Sequence, residues 1–199
     1  MKNNRRGWDG VVFIDRDGTI IVDIGYIDDP DRIEFLPGAI EAIHKLNLAG
    51  IKVIMVSNQS GVARGFFSME TAREVDSKVI LRLRDRNAII HASYFCPHHP
   101  DASVKEFRKD CWNRKPNPGM VEIAANEHCI NLRKSYVIGD KISDLELARN
   151  IGAEPILVRT GEGVISEAKL RENEAIAVFD TISSSVSYII GKVKGKEDV

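Results

Sequence analysis

Short apolar runs rich in Val and Ile recur along the chain, and they alternate with longer stretches whose apolar residues lie three or four positions apart. A short apolar run is typical of a buried strand, and the wider spacing is typical of a helix that buries one face. The pattern predicts six strands, at residues 10–14, 51–57, 89–95, 135–139, 155–159 and 175–179.

The intervening stretches predict four helices, and a fifth follows the last strand. Their boundaries come from residues that start or stop helices: Pro37-Gly38 and Gly50 for the first, Ser68 for the second, Pro118 for the third, Ser143 to Glu146 and Gly152 for the fourth, and 183–194 for the last. Alternating strands and helices predict an α/β protein with a Rossmann-like, doubly wound, mostly parallel sheet. Cys129 is expected in the core.

The domain organisation is predicted to be simple. Its 199 residues suit a single domain over 1–199, with a core of about 9–190 and a loop insert at 96–113. Little chain separates the first strand from the first helix, and no long insertion follows the second strand. No separate cap domain is therefore expected, and any site at the sheet edge should be covered only by loops.

Composition excludes several classes of partner. Lys and Arg number 28 against 29 for Asp and Glu, so no net charge favours nucleic acid or a membrane surface. No apolar run is long enough to span a bilayer, and the basic residues 1–6 lack the apolar region of a secretion signal. Three cysteines fit a reducing compartment, which predicts a cytoplasmic protein. No heptad repeat is evident, so a monomer is expected.

Reactive side chains follow the predicted strands at the point where each strand ends. They are Asp15 and Asp17 after the first, Ser57 after the second, and Asp140 after the fourth, with Lys115 before the third helix. Each alone could be a turn residue, a cap or a surface lysine. Ligands of parallel sheets bind at the carboxyl ends of strands, so together these residues predict a site. Two adjacent buried carboxylates favour a divalent cation such as Mg²⁺.

This set of residues, in this order, resembles the haloacid dehalogenase superfamily of phosphatases. Its four motifs match Asp15 to Thr19, Ser57-Asn58, Lys115, and Gly139-Asp140 with Asp144. Within the superfamily, five blocks resemble the D-glycero-D-manno-heptose 1,7-bisphosphate 7-phosphatases: Val22 to Tyr26, Ser57 to Gly65, Cys96 to Pro100, Arg114 to Met120, and Val137 to Lys141. The histidinol-phosphate phosphatases form a sister group that shares most of these blocks.

The resemblance implies roles for these residues. Asp15 would be the nucleophile that forms an aspartyl-phosphate, and Asp17 the general acid and base. Mg²⁺ would be held by the Asp15 side chain, the Asp17 backbone carbonyl and Asp140. Ser57 and Lys115 would hold the phosphoryl oxygens. Asp144 would lie behind these groups.

Substrate recognition is also implied by the resemblance. The substrate-binding residues would be Asp23, Gly25, Tyr26, Ser57, Asn58, Gln59, Ser60, Arg114, Lys115 and Lys141. Arg114 is also the natural partner of a second phosphate, since its guanidinium can bind two oxygens at once.

The loop insert contains most of a zinc-site pattern. Family members commonly carry Cys-x-His followed by Cys-x-Cys, and this chain has Cys96, His98 and Cys111 but Asn113 at the fourth position. A structural Zn²⁺ needs four firm ligands, usually Cys and His. The sequence therefore leaves two possibilities open. Water, His99 or Asp110 completes the site, or the loop folds without metal around Trp112.

The predicted function is a Mg²⁺-dependent phosphatase that removes the 7-phosphate of D-glycero-D-manno-heptose 1,7-bisphosphate, a small-molecule sugar phosphate. Histidinol-phosphate phosphatase and other small-ester phosphatases remain alternatives. A receiver-like signalling module also uses an acidic metal pocket, but it carries no Asp-x-Asp pair after the first strand. A protein that binds phosphate without turnover would not need both Asp15 and Asp17.

Overall fold

The protein is built around one six-stranded sheet. A computed structural model describes residues 7–171 and 176–194. The strands are β1 Val11–Ile14, β2 Lys52–Asn58, β3 Ala92–Cys96, β4 Tyr136–Gly139, β5 Glu154–Val158 and β6 Ala177–Phe179. They pair in parallel in the order β3-β2-β1-β4-β5-β6. The predicted α/β fold class and six strands are confirmed, although residue 175 lies outside the described residues.

Helices connect the strands. They are α1 Ala39–Leu48, α2 Gly61–Arg64, α3 Met69–Arg84, α4 Gly119–His128, α5 Ile142–Ile151, α6 Gly163–Glu167 and α7 Ile182–Lys194. Short 3₁₀ turns lie at Pro30–Arg32, Lys105–Phe107 and Leu132–Lys134. The pattern predicted the five longer helices, whereas α2 and α6 span little more than one turn and are too short for a periodic signal.

Both faces of the sheet are buried. Val12 and Ile14 of β1 point into a core shared with α1, α3 and α7, while Val11 and Phe13 point into a second core with α4 and α5. A strand buried on both faces reads as a continuous apolar run, which is what β1 shows. In this strand order the connections reverse direction between β1 and β4. The reversal leaves a crevice at the carboxyl ends of these two strands, and doubly wound sheets bind their ligands in such a crevice.

Local signals located the helix ends with one error. Ser68 Oγ accepts a hydrogen bond from the Thr71 N–H at 3.1 Å, as an N-cap should. The start predicted at Ser143 to Glu146 is placed too late, because α5 begins at Ile142 and the Lys141 N–H donates to Asp144 at 3.1 Å. Asp144 is therefore the acidic residue that stabilises the first turn.

Two further expectations are settled by burial and helix length. Cys129 does not lie in the core, because it ends α4 in a left-handed conformation (φ 53°) and is exposed. Within the part of the chain that the structure describes, no helix is long and apolar enough to cross a membrane. The single domain with a core of about 9–190 and an insert at 96–113 stays a prediction.

Candidate active site

Three buried carboxylates meet at the crevice between β1 and β4. Asp15 directly follows β1, Asp140 follows β4, and Asp144 lies in the first turn of α5; one oxygen from each lies within 4.8 Å of the others. Gly18 and Gly161 allow this approach. A Cβ added to either glycine would lie 2.3 or 2.2 Å from Asp140 Oδ2, so any larger residue would displace the carboxylate.

Lys115 supplies the positive charge next to these acids. Its Nζ lies 2.8 Å from Asp15 Oδ1 and 2.6 Å from Asp144 Oδ1, and it donates to the Val56 carbonyl at 2.9 Å. The two carboxylates outweigh the effect of burial and raise the pKa of Lys115. Asn58 fixes the Lys115 backbone, because its side-chain amide exchanges two hydrogen bonds of 3.0 Å with the Lys115 N–H and C=O.

The site carries more buried negative charge than Lys115 offsets. Burial raises the pKa of Asp15, helped by the charge of Asp144 and opposed by Lys115. Burial and the charge of Asp15 raise the pKa of Asp140 to about 7. A hard divalent cation with oxygen ligands would offset this charge, so the donor set fits Mg²⁺.

Asp17 faces away from these acids. Its carboxylate accepts hydrogen bonds from the Arg16 guanidinium at 3.1 and 3.3 Å and from Gln59 Nε2 at 2.7 Å. The same Gln59 nitrogen donates to Ser57 Oγ at 3.0 Å. Alternation along an extended chain would place Arg16 on the side opposite to Asp15 and Asp17, but in the structure its side chain contacts Asp17 and is buried.

The predicted substrate residues surround one cleft of about 330 Å³. Those that line it are Asp23, Gly25, Tyr26, Asn58, Gln59, Ser60, Arg114 and Lys141, together with Asp17. Ser57 and Lys115 are buried behind this lining, as Asp15 and Asp140 are. The cleft therefore leads from the loops of the first strand toward the carboxylates.

Sequence reasoning missed Ser143 and Glu162, which also line the cleft. The Glu162 N–H donates to Asp140 Oδ2 at 2.8 Å, and its carboxylate lies 3.7 Å from Lys141 Nζ, which also contacts Asp23 at 3.0 Å. The charges of Asp15, Asp140 and Asp23 outweigh the effect of burial and raise the pKa of Lys141. The strand-end rule could have found Glu162, because its loop follows β5.

The loop insert brings Cys96, His98 and Cys111 together, with ligand atoms within 4.8 Å of one another. No other His, Cys, Asp or Glu among residues 7–171 and 176–194 joins them, so neither His99 nor Asp110 is the fourth member. Burial and the neighbouring Cys111 thiol raise the pKa of Cys96 to about 12.

Trp112 is not an apolar anchor for this loop. It is 60% exposed, and its indole N–H donates to Glu122 at 2.7 Å. The loop instead contacts Arg114: the His98 carbonyl accepts from Arg114 Nη1 at 3.1 Å, and the Cys111 carbonyl accepts from the Arg114 N–H at 2.9 Å.

Comparison with known proteins shows the family. The chain is 45% identical over 160 residues to the D-glycero-beta-D-manno-heptose-1,7-bisphosphate 7-phosphatase of Yersinia pestis, covering 79% of this chain and 85% of that one. It is 41% identical to the enzyme of the same name from Escherichia coli K12, covering 86% and 89%. The chain belongs to this phosphatase family. It is accordingly a phosphoric monoester hydrolase.

Two further comparisons agree with this family. Residues 112–185 match a family model described as HAD-hydrolase-like. The crystal structure of the D,D-heptose 1,7-bisphosphate phosphatase from B. bronchiseptica, complexed with magnesium and phosphate, superposes with a TM-score of 0.82 at 30% identity. It covers 92% of this chain and 99% of that one.

Proposed function

We propose that this phosphatase hydrolyses the 7-phosphate of D-glycero-D-manno-heptose 1,7-bisphosphate through an aspartyl-phosphate on Asp15. The observation that carries the proposal is a cleft that has a buried carboxylate behind its lining and, in the lining, a guanidinium that pairs with no carboxylate among the described residues. Asp15 lies buried beside Lys115 behind the lining of the cleft, and Arg114 belongs to that lining. A sugar bisphosphate has one phosphate ester for Asp15 to attack and a second phosphate for Arg114 to bind.

In the first step, an Asp15 carboxylate oxygen forms a bond to phosphorus while the bond between phosphorus and the sugar oxygen breaks. Asp17 gives its proton to the departing sugar oxygen. The Ser57 hydroxyl and the Lys115 ammonium hold the phosphoryl oxygens and offset their charge. Both groups are already fixed by hydrogen bonds, so little reorganisation accompanies the reaction.

In the second step, water attacks phosphorus and the Asp15–phosphate bond breaks, which restores the Asp15 carboxylate and releases inorganic phosphate. Asp17, ionised after the first step, takes a proton from this water. Mg²⁺ would be held by the Asp15 side chain, the Asp17 backbone carbonyl and Asp140, and it would supply positive charge to the phosphoryl oxygens.

Arg114 supports a substrate with two phosphates. Among the described residues, no carboxylate oxygen lies within 4 Å of its guanidinium, whose contact is with the His98 carbonyl. Burial and the nearby charge of Arg64 lower the pKa of Arg114. A guanidinium held in this way favours binding of a doubly charged phosphate. Histidinol phosphate has only the phosphate that is hydrolysed and offers Arg114 no second one.

The test is phosphate release with Mg²⁺ from heptose 1,7-bisphosphate, heptose 7-phosphate and histidinol phosphate. The wild type should show the largest kcat/KM on the bisphosphate. Arg114→Gln should lower that value by ~10–100-fold through KM and leave heptose 7-phosphate nearly unchanged. Arg86→Gln, at an exposed arginine beyond α3, is the matched control and should change neither value.

Equal kcat/KM on the two heptose esters would contradict the role of Arg114. A preference for histidinol phosphate would contradict the proposed substrate and place the protein with the sister group.

The proposal includes a zinc ion at Cys96, His98 and Cys111. Thiolate and imidazole are the ligands that Zn²⁺ prefers, and three of them already lie close together. With Asn113 in place of a fourth ligand, water would complete the site, and the ion would be held less firmly than in a four-ligand site. Metal analysis of the purified protein should give about one zinc per chain, and its absence would remove zinc from the proposal.

We further propose that the protein acts in the cytoplasm as a monomer, without nucleic acid or a membrane as partner. Cys96, Cys111 and Cys129 are all free thiols in the structure, which suits a reducing compartment. The nearly equal numbers of cations and anions favour neither kind of surface. Sedimentation of the purified protein tests the monomer, and a dimer would contradict it.

A further inference from the structure

Arg16 lies between the two aspartates of the first motif, yet its side chain is only 2% exposed. A buried guanidinium is costly unless anions and acceptors surround it. Its Nε and Nη2 donate to Asp17 Oδ1, and Nη2 also donates to Gln59 Oε1 at 2.7 Å. One edge of the Arg16 guanidinium therefore contacts Asp17, the residue proposed to exchange protons with the substrate.

The opposite edge of the Arg16 guanidinium faces a second carboxylate, that of Asp76. Arg16 Nη1 lies 4.0 Å from Asp76 Oδ1, and neither atom has a hydrogen-bond partner among the described residues. Asp76 comes from α3 and is buried, and its Oδ2 accepts from Ser93 Oγ of β3 at 2.8 Å. The guanidinium thus lies between two carboxylates, hydrogen-bonded to Asp17 at one end and 4.0 Å from Asp76 at the other.

Arg16 also determines how Gln59 is oriented. A guanidinium has donors only, so the Gln59 oxygen must face it and the amide nitrogen must face the other way. That nitrogen donates to Asp17 Oδ2 at 2.7 Å and to Ser57 Oγ at 3.0 Å. Removing Arg16 would allow the amide to rotate and present an oxygen to the Asp17 carboxylate.

We propose that Asp76, Arg16 and Gln59 form a buried brace that positions the Asp17 carboxylate for proton transfer to the leaving oxygen. Asp76 is its anchor and a positioning residue, because it reaches the reacting atoms only through Arg16. The inference rests on the proposed role of Asp17. Small displacements of a proton donor lower the rate of proton transfer strongly, so loss of a distant anchor should be measurable.

The test compares two leaving groups. An alkyl ester needs a proton from Asp17 as its oxygen departs, whereas p-nitrophenolate leaves without one. Asp76→Asn keeps the shape of the side chain and removes its charge. It should lower kcat/KM, which reports the first step, for heptose bisphosphate and glycerol phosphate at least ~10-fold more than for p-nitrophenyl phosphate.

Three variants serve as controls. Asp85→Asn makes the same change at an exposed residue just beyond α3 and should alter neither ester. Ser93→Ala loosens the brace without unpairing a charge and should give a smaller difference in the same direction. In an Asp17→Asn background, Asp76→Asn should not lower kcat/KM for alkyl esters any further relative to p-nitrophenyl phosphate, because the Asp17 carboxyl that Asp76 positions is absent.

Equal losses on both kinds of ester, or additive losses in the Asp17→Asn background, would overturn the brace and leave Asp76 a structural residue. No loss at all would overturn it as well. If the wild type hydrolyses glycerol phosphate and p-nitrophenyl phosphate but not the heptose ester, the proposed substrate fails while the same comparison still decides the brace. Hydrolysis of no ester would overturn both.

Discussion

Two clusters of metal-binding type lie on either side of the adjacent residues Arg114 and Lys115, and they are built differently. The carboxylate cluster, Asp15, Asp140 and Asp144, is fixed by strand ends and a helix start, and Lys115 contacts two of its members. The cysteine cluster, Cys96, His98 and Cys111, bridges the end of β3 and the loop before α4. The first is held by the sheet itself, whereas the second depends on its loop.

Under the proposed mechanism, this difference would give each cluster a separate task. The carboxylate cluster contacts Lys115 and would therefore act on the phosphoryl group of any ester. The cysteine cluster holds Arg114 through the His98 and Cys111 carbonyls, so it would act on the part of the substrate that Arg114 is proposed to bind. Damage to the first should stop catalysis, and damage to the second should change which ester is preferred.

The largest effect is expected from Asp15→Asn. The amide cannot form the aspartyl-phosphate, so kcat should fall at least ~1000-fold on every ester. The amide has nearly the same volume as the carboxylate, so circular dichroism and Tm should stay close to wild type. Rapid-quench detection of a phosphoenzyme in the wild type and not in the variant completes the measurement. Appreciable residual turnover would remove Asp15 from the role of nucleophile.

Lys115→Met should damage both activity and stability. It leaves Asp15 and Asp144 buried without a cation, and breaking a buried pair in this way typically lowers the free energy of unfolding by ~3–5 kcal/mol. Loss of a preorganised donor should lower kcat ~100-fold or more. Urea unfolding and phosphate release measure the two effects, and Lys45→Met on the surface of α1 is the control. A variant as stable as wild type would show that the carboxylates do not depend on Lys115.

The sequence predicted that Asp15, Asp140 and Lys115 would meet, because both acids follow strands and the fold decides where strand ends meet. Asp17 was predicted beside Asp15 but contacts Arg16 and Gln59 instead, and Asp144 was implied only by the resemblance. Asp15, Asp140 and Lys115 are far apart in the chain, but a parallel sheet leaves one place for them. The contact of Arg16 with Asp76 could not be predicted in this way. Asp76 lies on the buried face of α3, four residues after Ala72 and three before Val79, but helical spacing does not show which cation a buried carboxylate meets.

The cysteine cluster shows where the pattern stops being informative. Its spacing predicted that Cys96, His98 and Cys111 would meet, and their ligand atoms do lie together. The role of Trp112 was open in the sequence, because an aromatic residue in a loop can pack inward or contact a helix from outside. The hydrogen bond from Trp112 to Glu122 shows that Trp112 contacts α4 from outside.

Substitutions at the cysteine cluster should change zinc affinity and Tm by intermediate amounts, and the direction should depend on whether a ligand is added or removed. Asn113→Cys supplies a fourth ligand and should raise both zinc affinity and Tm, while Cys111→Ser removes a ligand and should lower both. Because Arg114 is attached to this loop, Cys111→Ser should raise KM for the bisphosphate more than it changes kcat. Cys129→Ser, at an exposed cysteine just after α4, is the control.

Zinc competition with a chelator, thermal unfolding and the KM ratio of the two heptose esters give the three readouts. If Cys111→Ser lowered kcat on all esters equally, the two clusters would not have separate tasks.

The smallest effect is expected far from both clusters, at the start of α3. Ser68→Ala removes the hydrogen bond to the Thr71 N–H, and loss of such a cap typically lowers the free energy of unfolding by ~1 kcal/mol. Since α3 also carries Asp76, this variant separates general loosening of the helix from loss of the Asp76 charge. Urea unfolding should show the decrease, while kcat/KM for alkyl and nitrophenyl esters should keep its wild-type ratio. A changed ratio would mean that helix stability alone controls Asp17, and the position of Asp17 would then depend on distant packing as the cysteine cluster depends on its loop.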